Sequence, residues 1–437
     1  MLAGFGLALI FLIDYPSLSG PFVYDDFPDI VLNQKIQAGL FHALSYNPFR
    51  ALVYLSYWAQ IQFAENSSSA AAFRILNLLL HWLTGLWLIQ FALRLAPERK
   101  WFAIIAGLWF WLHPIFLESV NLISGRFDLF STFFYLAALG FYLAPRRSAS
   151  VRLGFFLCLI LALLSKEISI TIPLSALLLS RFKSERVKWL EISAGLGMVL
   201  IYILLRLTWP MVFAKPSLQV PAWDVYFLSQ NWIFWFGTLK TLIPLHLNFD
   251  YALNNHFISG AIFLLVNLIS FSLILILSIR GWKAGWLIII YPLTYLPLAV
   301  IPLADPFRES RIYLSSAFLI LLFSLLISKV LEKQKNWGWV PFVLVLACLS
   351  VLGSARARVW KNGESLWGDA ARKSPEKFRP VFNYANALRR ELELDRAKRA
   401  YLWAKKIEPD NIKVDRNVFL IEQARRNPEL LEKLKSQ

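Results

Sequence analysis

Long apolar runs recur from the first residue to about residue 355, and the connections between them alternate between basic and nearly uncharged. No pattern limits the fold more. A run near 20 residues is long enough to cross about 30 Å of hydrocarbon as a helix, and only helices or closed barrels satisfy their backbone there. The period-2 alternation of barrel strands is absent, so the sequence predicts an all-α, polytopic membrane protein. At 57% hydrophobic residues the chain exceeds the roughly 45–50% usual for a soluble domain. Cys158 and Cys348 both lie inside apolar runs, with no disulfide framework and no zinc spacing.

The runs predict about eleven transmembrane helices, near 1–15, 71–95, 101–116, 127–144, 151–164, 168–181, 188–209, 258–280, 284–303, 311–330 and 338–355. Residues 1–15 lack a basic n-region and a cleavage site, and read as an uncleaved first span. Five connections are densely basic: Arg94/Arg99/Lys100, Arg146/Arg147/Arg152, Arg181/Lys183/Arg186/Lys188, Arg280/Lys283 and Lys329/Lys333/Lys335. The alternate ones hold only Lys35 and Arg50, then Arg126, Lys166, Lys215 with Lys240, and Arg308 with Arg311. The positive-inside rule places the first set and the N-terminus in the cytoplasm, and the second set outside. Topology accounts for the basic loops, and nothing points to nucleic acid.

Two stretches need separate treatment. Residues 151–181 are too long for one span and read as a hairpin turning at Ser165-Lys166-Glu167. Residues 222–244, rich in Trp and Tyr, read as an interfacial helix on the outer side. The membrane domain then covers 1–355, with a first outer loop at 16–70 that carries an amphipathic helix near 48–64. The tail, 356–437, changes character, with 20 Lys and Arg against 12 Asp and Glu. In it Trp367, Ala370 and Pro375 recur 34 residues later as Tyr401, Ala404 and Pro409. That is the period of a tetratricopeptide unit, and so short an array must dock on the membrane domain or on another chain.

Four polar constellations fall on the predicted outer side. Tyr24-Asp25-Asp26 offers adjacent carboxylates, which serve as a general base with an orienting or ion-binding neighbour, or form a solvated acidic turn. The sequence assigns no cofactor with certainty, and a divalent cation, if any, falls to Asp25 and Asp26. His113, Glu118, Asn121, Arg126 and Asp128 crowd one hairpin end, as a polar cavity or as an interfacial cap. Lys166-Glu167 supplies a phosphate cation or a turn-closing ion pair. Arg308, Arg311 and Tyr313 form a phosphate clamp or an interfacial anchor, because guanidinium binds phosphate bidentately. Arg206 reads as a snorkelling residue.

These segments resemble the transmembrane and tetratricopeptide-repeat O-mannosyltransferase family and its bacterial relatives, within the C-fold glycosyltransferases. The resemblance rests on Phe22-Val-Tyr-Asp-Asp with Ile30 and Asn33, on Asn77-x-x-x-His81, on His113 through Arg126, on Ser165-Lys-Glu-Ile, on Glu309 through Ser316, and on the tail. It implies transfer of a sugar from a polyprenyl-phosphate donor to a protein hydroxyl on the outer face, with inversion. Asp25 is then the base and Asp26 its neighbour, while Arg126, Lys166, Arg308, Arg311 and Tyr313 meet the donor phosphate. Tyr24, Asn77, His81, His113, Glu118, Asn121, Asp128 and Glu167 line the pocket. The tail would receive the acceptor protein or peptide. The short tail suggests a bacterial source, with the membrane domain in the inner membrane and the tail periplasmic. Arg74-Ile-Leu-Asn77 stands where the family often has His-x-x-Asn, and Asn47-Pro48 with Arg50 replaces its Arg-Pro. Arg311-Ile-Tyr-Leu-Ser-Ser lacks the family's proline and is one residue tighter. Two other classes compete: a membrane scaffold whose tail gathers partners, and a transporter of lipid-linked sugars. The second should show internal repeats and mid-membrane ionisable groups.

Overall fold

The computed structural model describes residues 2–63, 69–146, 148–209, 220–253, 257–332 and 339–427. Arg147, Lys215, Lys333 and Lys335 lie outside the described residues. Everything described is helical or irregular, with twenty α-helices and no strand among the described residues.

Helix α1 (Leu2–Asp14) enters the first loop, where α2 (Gln34–Gln37), α3 (Leu40–Tyr46) and α4 (Ala51–Phe63) are short. The helix expected near 48–64 is α4, and it buries Val53, Tyr54 and Tyr57. Then come α5 (Ala70–Leu95) and α6 (Lys100–Leu112). His113 is extended because it precedes Pro114, so the chain bends by 51° into a short turn and α7 (Leu117–Asn121). Gly125 closes this elbow, since a Cβ there would lie 2.3 Å from the Ser119 carbonyl oxygen. Next are α8 (Arg126–Tyr142), α9 (Ala149–Leu163), α10 (Ile172–Lys183), α11 (Trp189–Thr208) and α12 (Trp223–Leu242). The membrane half ends with α13 (Phe257–Ile279), α14 (Lys283–Val300), α15 (Tyr313–Leu331) and α16 (Val340–Val359).

Six of these helices are long and apolar enough to cross a membrane, or seven if the bent α6–α7 pair is one span. The protein is an integral, multi-pass membrane protein. The expected count of eleven is not reached by length. Helices α1, α8, α9 and α10 run 13, 17, 15 and 12 residues, or roughly 18–26 Å at 1.5 Å per residue. The runs of α8, α9 and α10 are cut short by the segments at 113–125 and 164–171, where polar groups gather. The aromatic helix α12 is not among the six.

Helices α5, α6, α8 and α15 form the core of the bundle, with Leu88, Phe91, Phe102, Phe110, Leu136, Leu139 and Leu321 buried. Helix α13 is the opposite case, presenting Ile262, Leu265 and Ile269 outward. Such an apolar exterior suits lipid rather than water. Four of the five basic connections meet at one end of the bundle: Arg99 pairs with Glu332 at 2.7 Å, Lys183 reaches the Arg94 carbonyl at 2.9 Å, and Arg152 pairs with Glu191 at 3.4 Å.

The tail holds α17 (Gly363–Lys373), α18 (Phe378–Arg390), α19 (Leu394–Ile407) and α20 (Ile412–Arg426). Consecutive helices pack on small residues, Ala371, Ala385, Ala397, Ala400 and Ala404, around Tyr401. The tail lies against the segment 247–252 of the membrane half. Ser374 accepts from the Asn248 amide at 2.9 Å and from the Ala252 N–H at 3.0 Å, and Phe249 sits against Trp360 and Trp367.

Candidate active site

The two adjacent aspartates do different work. Asp26 is buried, and its oxygens accept the N–H groups of Val23 at 3.1 Å and Ser124 at 2.8 Å. It therefore ties the first loop to the elbow before α8. Burial pushes its pKa up to about 6, against the pull of those N–H groups and of Arg74. Asp25 is 42% exposed; its Oδ2 accepts from Arg308 Nη1 at 3.0 Å. Its other oxygen has no hydrogen bond among the described residues. Asp29 is held by the Tyr54 hydroxyl at 3.0 Å, and burial with the nearby Asp25 charge pushes it up to about 7.

Tyr24 gives this turn its shape. Its φ is 52°, a left-handed conformation that costs a non-glycine residue on the order of 1–3 kcal/mol. Its hydroxyl donates to Asp305 at 2.9 Å, and the Arg308 guanidinium lies 4.7 Å from its ring centre. Arg308 is itself buried, with Nε on Glu118 at 3.3 Å and Nη2 without a hydrogen-bond partner among the described residues. Glu118 also accepts from Ser310 at 2.9 Å, and its second oxygen is buried without such a partner. The structure thus brings together Tyr24, Asp25, Glu118 and Arg308. Arg311 bonds the Asp305 carbonyl from the same turn.

Other predicted residues lie deeper or apart. Arg126 spends all three nitrogens on neutral acceptors: Asn77 Oδ1 at 2.8 Å, Ser56 Oγ at 3.1 Å and the Phe73 carbonyl at 3.0 Å. Asn77 in turn donates to the Val120 carbonyl at 3.1 Å, and Asn121 donates to Asp14 at 3.1 Å. His81 and Tyr313 meet each other at 2.7 Å inside the bundle, and His113 accepts the Ile115 N–H at 3.2 Å as a helix cap. Lys166 pairs with Asp128 at 2.5 Å. Glu167 joins Arg50 at 3.1 Å and Arg206 at 3.4 Å; burial would raise its pKa, but the two arginines hold it down at about 2. Arg206 is therefore an ion-pair partner.

The acidic pair does not fit a divalent cation, because Asp26 commits both oxygens to backbone N–H groups and Asp25 faces a guanidinium. Among the described residues no three His, Cys, Asp or Glu side chains gather as a ligand set.

Several residues of this end had no site role assigned from the sequence. Arg74, the departure from His-x-x-Asn, donates to the Asn121 carbonyl at 2.9 Å and the Pro21 carbonyl at 2.5 Å. Glu309 is buried on Arg356 at 3.3 Å and accepts the Asn248 N–H at 2.7 Å. Asp250 and Asp305 face Lys377 and Arg379 of the tail. One signal was available: Lys377 and Arg379 stand at the start of α18, a helix end that disfavours cations, with no acid in its first turn.

An all-helical, multi-pass membrane protein with a buried polar network at one end of its bundle is the class these features define. No family model matches the chain, and no solved structure matches it. It is 24% identical over 448 residues to a protein O-mannosyl-transferase of Caenorhabditis elegans, covering 92% of this chain and 62% of that protein. It is 30% identical over 199 residues to protein O-mannosyl-transferase TMTC2 of Mus musculus, covering 40% of this chain and 23% of that protein. The Homo sapiens TMTC2 gives 30% over 195 residues. The chain is a distant homologue of the Caenorhabditis elegans O-mannosyl-transferase across most of its length, and of the two TMTC2 proteins over 40% and 39% of it, as its motifs suggested. It spans less than two thirds of the length of each of these three relatives.

Proposed function

We propose that the chain is a membrane glycosyltransferase that moves a sugar from a polyprenyl-phosphate donor to a hydroxyl, a protein Ser or Thr, on the outer face. The observation that carries this is Asp25: a half-exposed carboxylate, fixed through one oxygen by a buried arginine, with the other oxygen free to take a proton. In the reaction the acceptor hydroxyl gives its proton to Asp25 as its oxygen bonds the anomeric carbon. The bond from that carbon to the phosphate oxygen breaks, and polyprenyl phosphate leaves with the electron pair. Phosphate is a good leaving group, so no general acid is needed, and attack opposite to it inverts the anomeric centre. Asp26 fixes the turn that aims Asp25. Arg308, whose Nη2 has no hydrogen-bond partner among the described residues, and Arg311 from the same turn receive the donor phosphate.

A cavity of about 800 Å³ supports a lipid donor. It runs between α12, α13, α14 and α15, lined by Phe234, Phe271, Leu287, Tyr291 and Leu322, with Gln230 and Asn231 among its few polar groups. Gln230 bonds the Pro306 carbonyl at 2.9 Å, so the cavity abuts the loop that carries Arg308. In this reading the short helices reach the interface through the irregular segments beside them, the count stays at eleven crossings, and the basic end faces the cytoplasm. The tail is a short tetratricopeptide-like array that receives the acceptor protein.

Intact-mass spectrometry of envelope proteins from cells lacking the gene tests this. Hexose increments should vanish from at least one protein and return with the wild-type gene. An unchanged glycan profile in the deletion cells contradicts the reading.

A further inference from the structure

The tail does more than rest on the membrane half. Arg379 donates to Asp250 through Nε at 2.6 Å and Nη2 at 2.5 Å, and to Asp305 through Nη2 at 2.7 Å and Nη1 at 3.1 Å. Its Nη1 also donates to the Tyr24 hydroxyl at 2.8 Å, and its guanidinium lies 4.8 Å from the Tyr24 ring centre. Lys377 adds a 2.6 Å pair to Asp250. Side chains 129, 74 and 355 positions before it in the chain thus converge on one tail residue.

Two features of this contact are locally unfavourable and persist only because of it. Two cations occupy the start of α18, against the helix dipole, and Tyr24 holds a left-handed φ of 52°. Departures from local preference that are held by distant partners mark positions where the fold serves a site. Tyr24 precedes Asp25, so whatever fixes the Tyr24 ring and hydroxyl fixes the direction of the next side chain. We infer that Arg379 is a positioning residue of the site: the tail completes it by locking Tyr24 on Asp305, and thereby aims Asp25. The inference rests on Asp25 being the base.

Docking of the tail has its own anchors, Ser374 on Asn248, Ala252 and the Asp250 carbonyl at 2.7 Å, and Lys373 on the Leu247 carbonyl at 2.7 Å. Positioning and docking therefore separate by experiment. Hydrogen exchange of the full-length protein in lipid nanodiscs, read by mass spectrometry, compares wild type with Arg379→Ala. Exchange over residues 22–30 should rise roughly ten-fold or more, as expected for losing hydrogen bonds to a charged group. Exchange in α18 and α19 should stay at the wild-type rate, and any rise over 246–252, where Arg379 also holds Asp250, should be well below that at 22–30, because Lys377 and Ser374 still anchor it. Arg379→Lys, which keeps a cation for Asp305, should recover most of the protection at 22–30. Lys398→Ala, on an exposed pair with Glu422, should change nothing.

An unchanged rate at 22–30, or equal loosening of 22–30 and 246–252, overturns the inference. Should Arg379→Ala lose the exchange protection of α18 and α19, Asp305→Asn takes its place. That variant leaves the tail's own fold and its Asp250 anchor intact and must raise exchange at 22–30; no rise overturns the inference. These outcomes are independent of the envelope glycan profile, whose constancy in deletion cells would instead remove Asp25 as the base.

Discussion

Arg126 and Arg308 lie at the same end of the bundle, both buried, both stacked on aromatic rings, and both reasonable phosphate ligands by residue type. Their surroundings differ in kind. Arg126 meets an amide, a hydroxyl and a carbonyl, all neutral, and joins α4, α5 and α8. Arg308 meets two carboxylates, Asp25 and Glu118, and keeps one nitrogen without a hydrogen bond. A buried guanidinium with every nitrogen answered by a neutral group is a structural tie. One with a spare donor beside a half-exposed carboxylate can still take up an anion.

Truncating either arginine should be costly, and the rescue should differ. Arg308→Ala leaves Glu118 buried and uncompensated, a loss of about 3–5 kcal/mol. Replacing both Arg308 and Glu118 by Met should recover most of the lost thermal midpoint while leaving transfer abolished. Arg126→Ala should cost about 3 kcal/mol, since it strands the Asn77, Ser56 and Phe73 acceptors. Arg126→Lys should not restore it, because a single ammonium cannot span three acceptors in one plane. Equal rescue at both sites, measured as thermal midpoints in detergent, would break the comparison.

Asp26 and Glu167 should give opposite pH dependences of smaller size. Asp26 titrates near 6 when folded and near 3.8 otherwise, so its contribution is full below about 3.8 and lost as pH rises through 6. Glu167 titrates near 2 when folded and near 4.5 otherwise, so its contribution is full above 4.5 and lost as pH falls towards 2. Melting curves across pH should show the first slope flattened by Asp26→Asn and the second by Glu167→Gln. The smallest effect belongs to Arg206→Ala, about 0–1 kcal/mol, because that side chain is a third exposed and Arg50 still holds Glu167.

The sequence showed that Asp25 and Asp26 belong together, but not that one faces outward and the other inward. That division follows from the Ser124 N–H, 98 residues away, which no local pattern announces. The hairpin at Lys166-Glu167 was legible because a charged pair cannot stay in the middle of a span. Its partners were not: Lys166 turns to Asp128 and Glu167 to Arg50, rather than to each other. The eleven apolar runs exceed the six or seven described helices that pass by length, in part because the runs continue through the elbows at 113–125 and 164–171, where hydropathy does not register a broken helix. The Arg379 contacts were hidden by distance in the chain, and only the misplaced cations at the start of α18 hinted at them.

The central claim is that Asp25 takes the acceptor's proton. Asp25→Asn, expressed at the wild-type level in deletion cells, tests it through the rate at which hexose increments return to the affected envelope protein. The account predicts a rate at least about a hundred-fold below wild type, with an unchanged thermal midpoint. A return within a few-fold of the wild-type rate would contradict it.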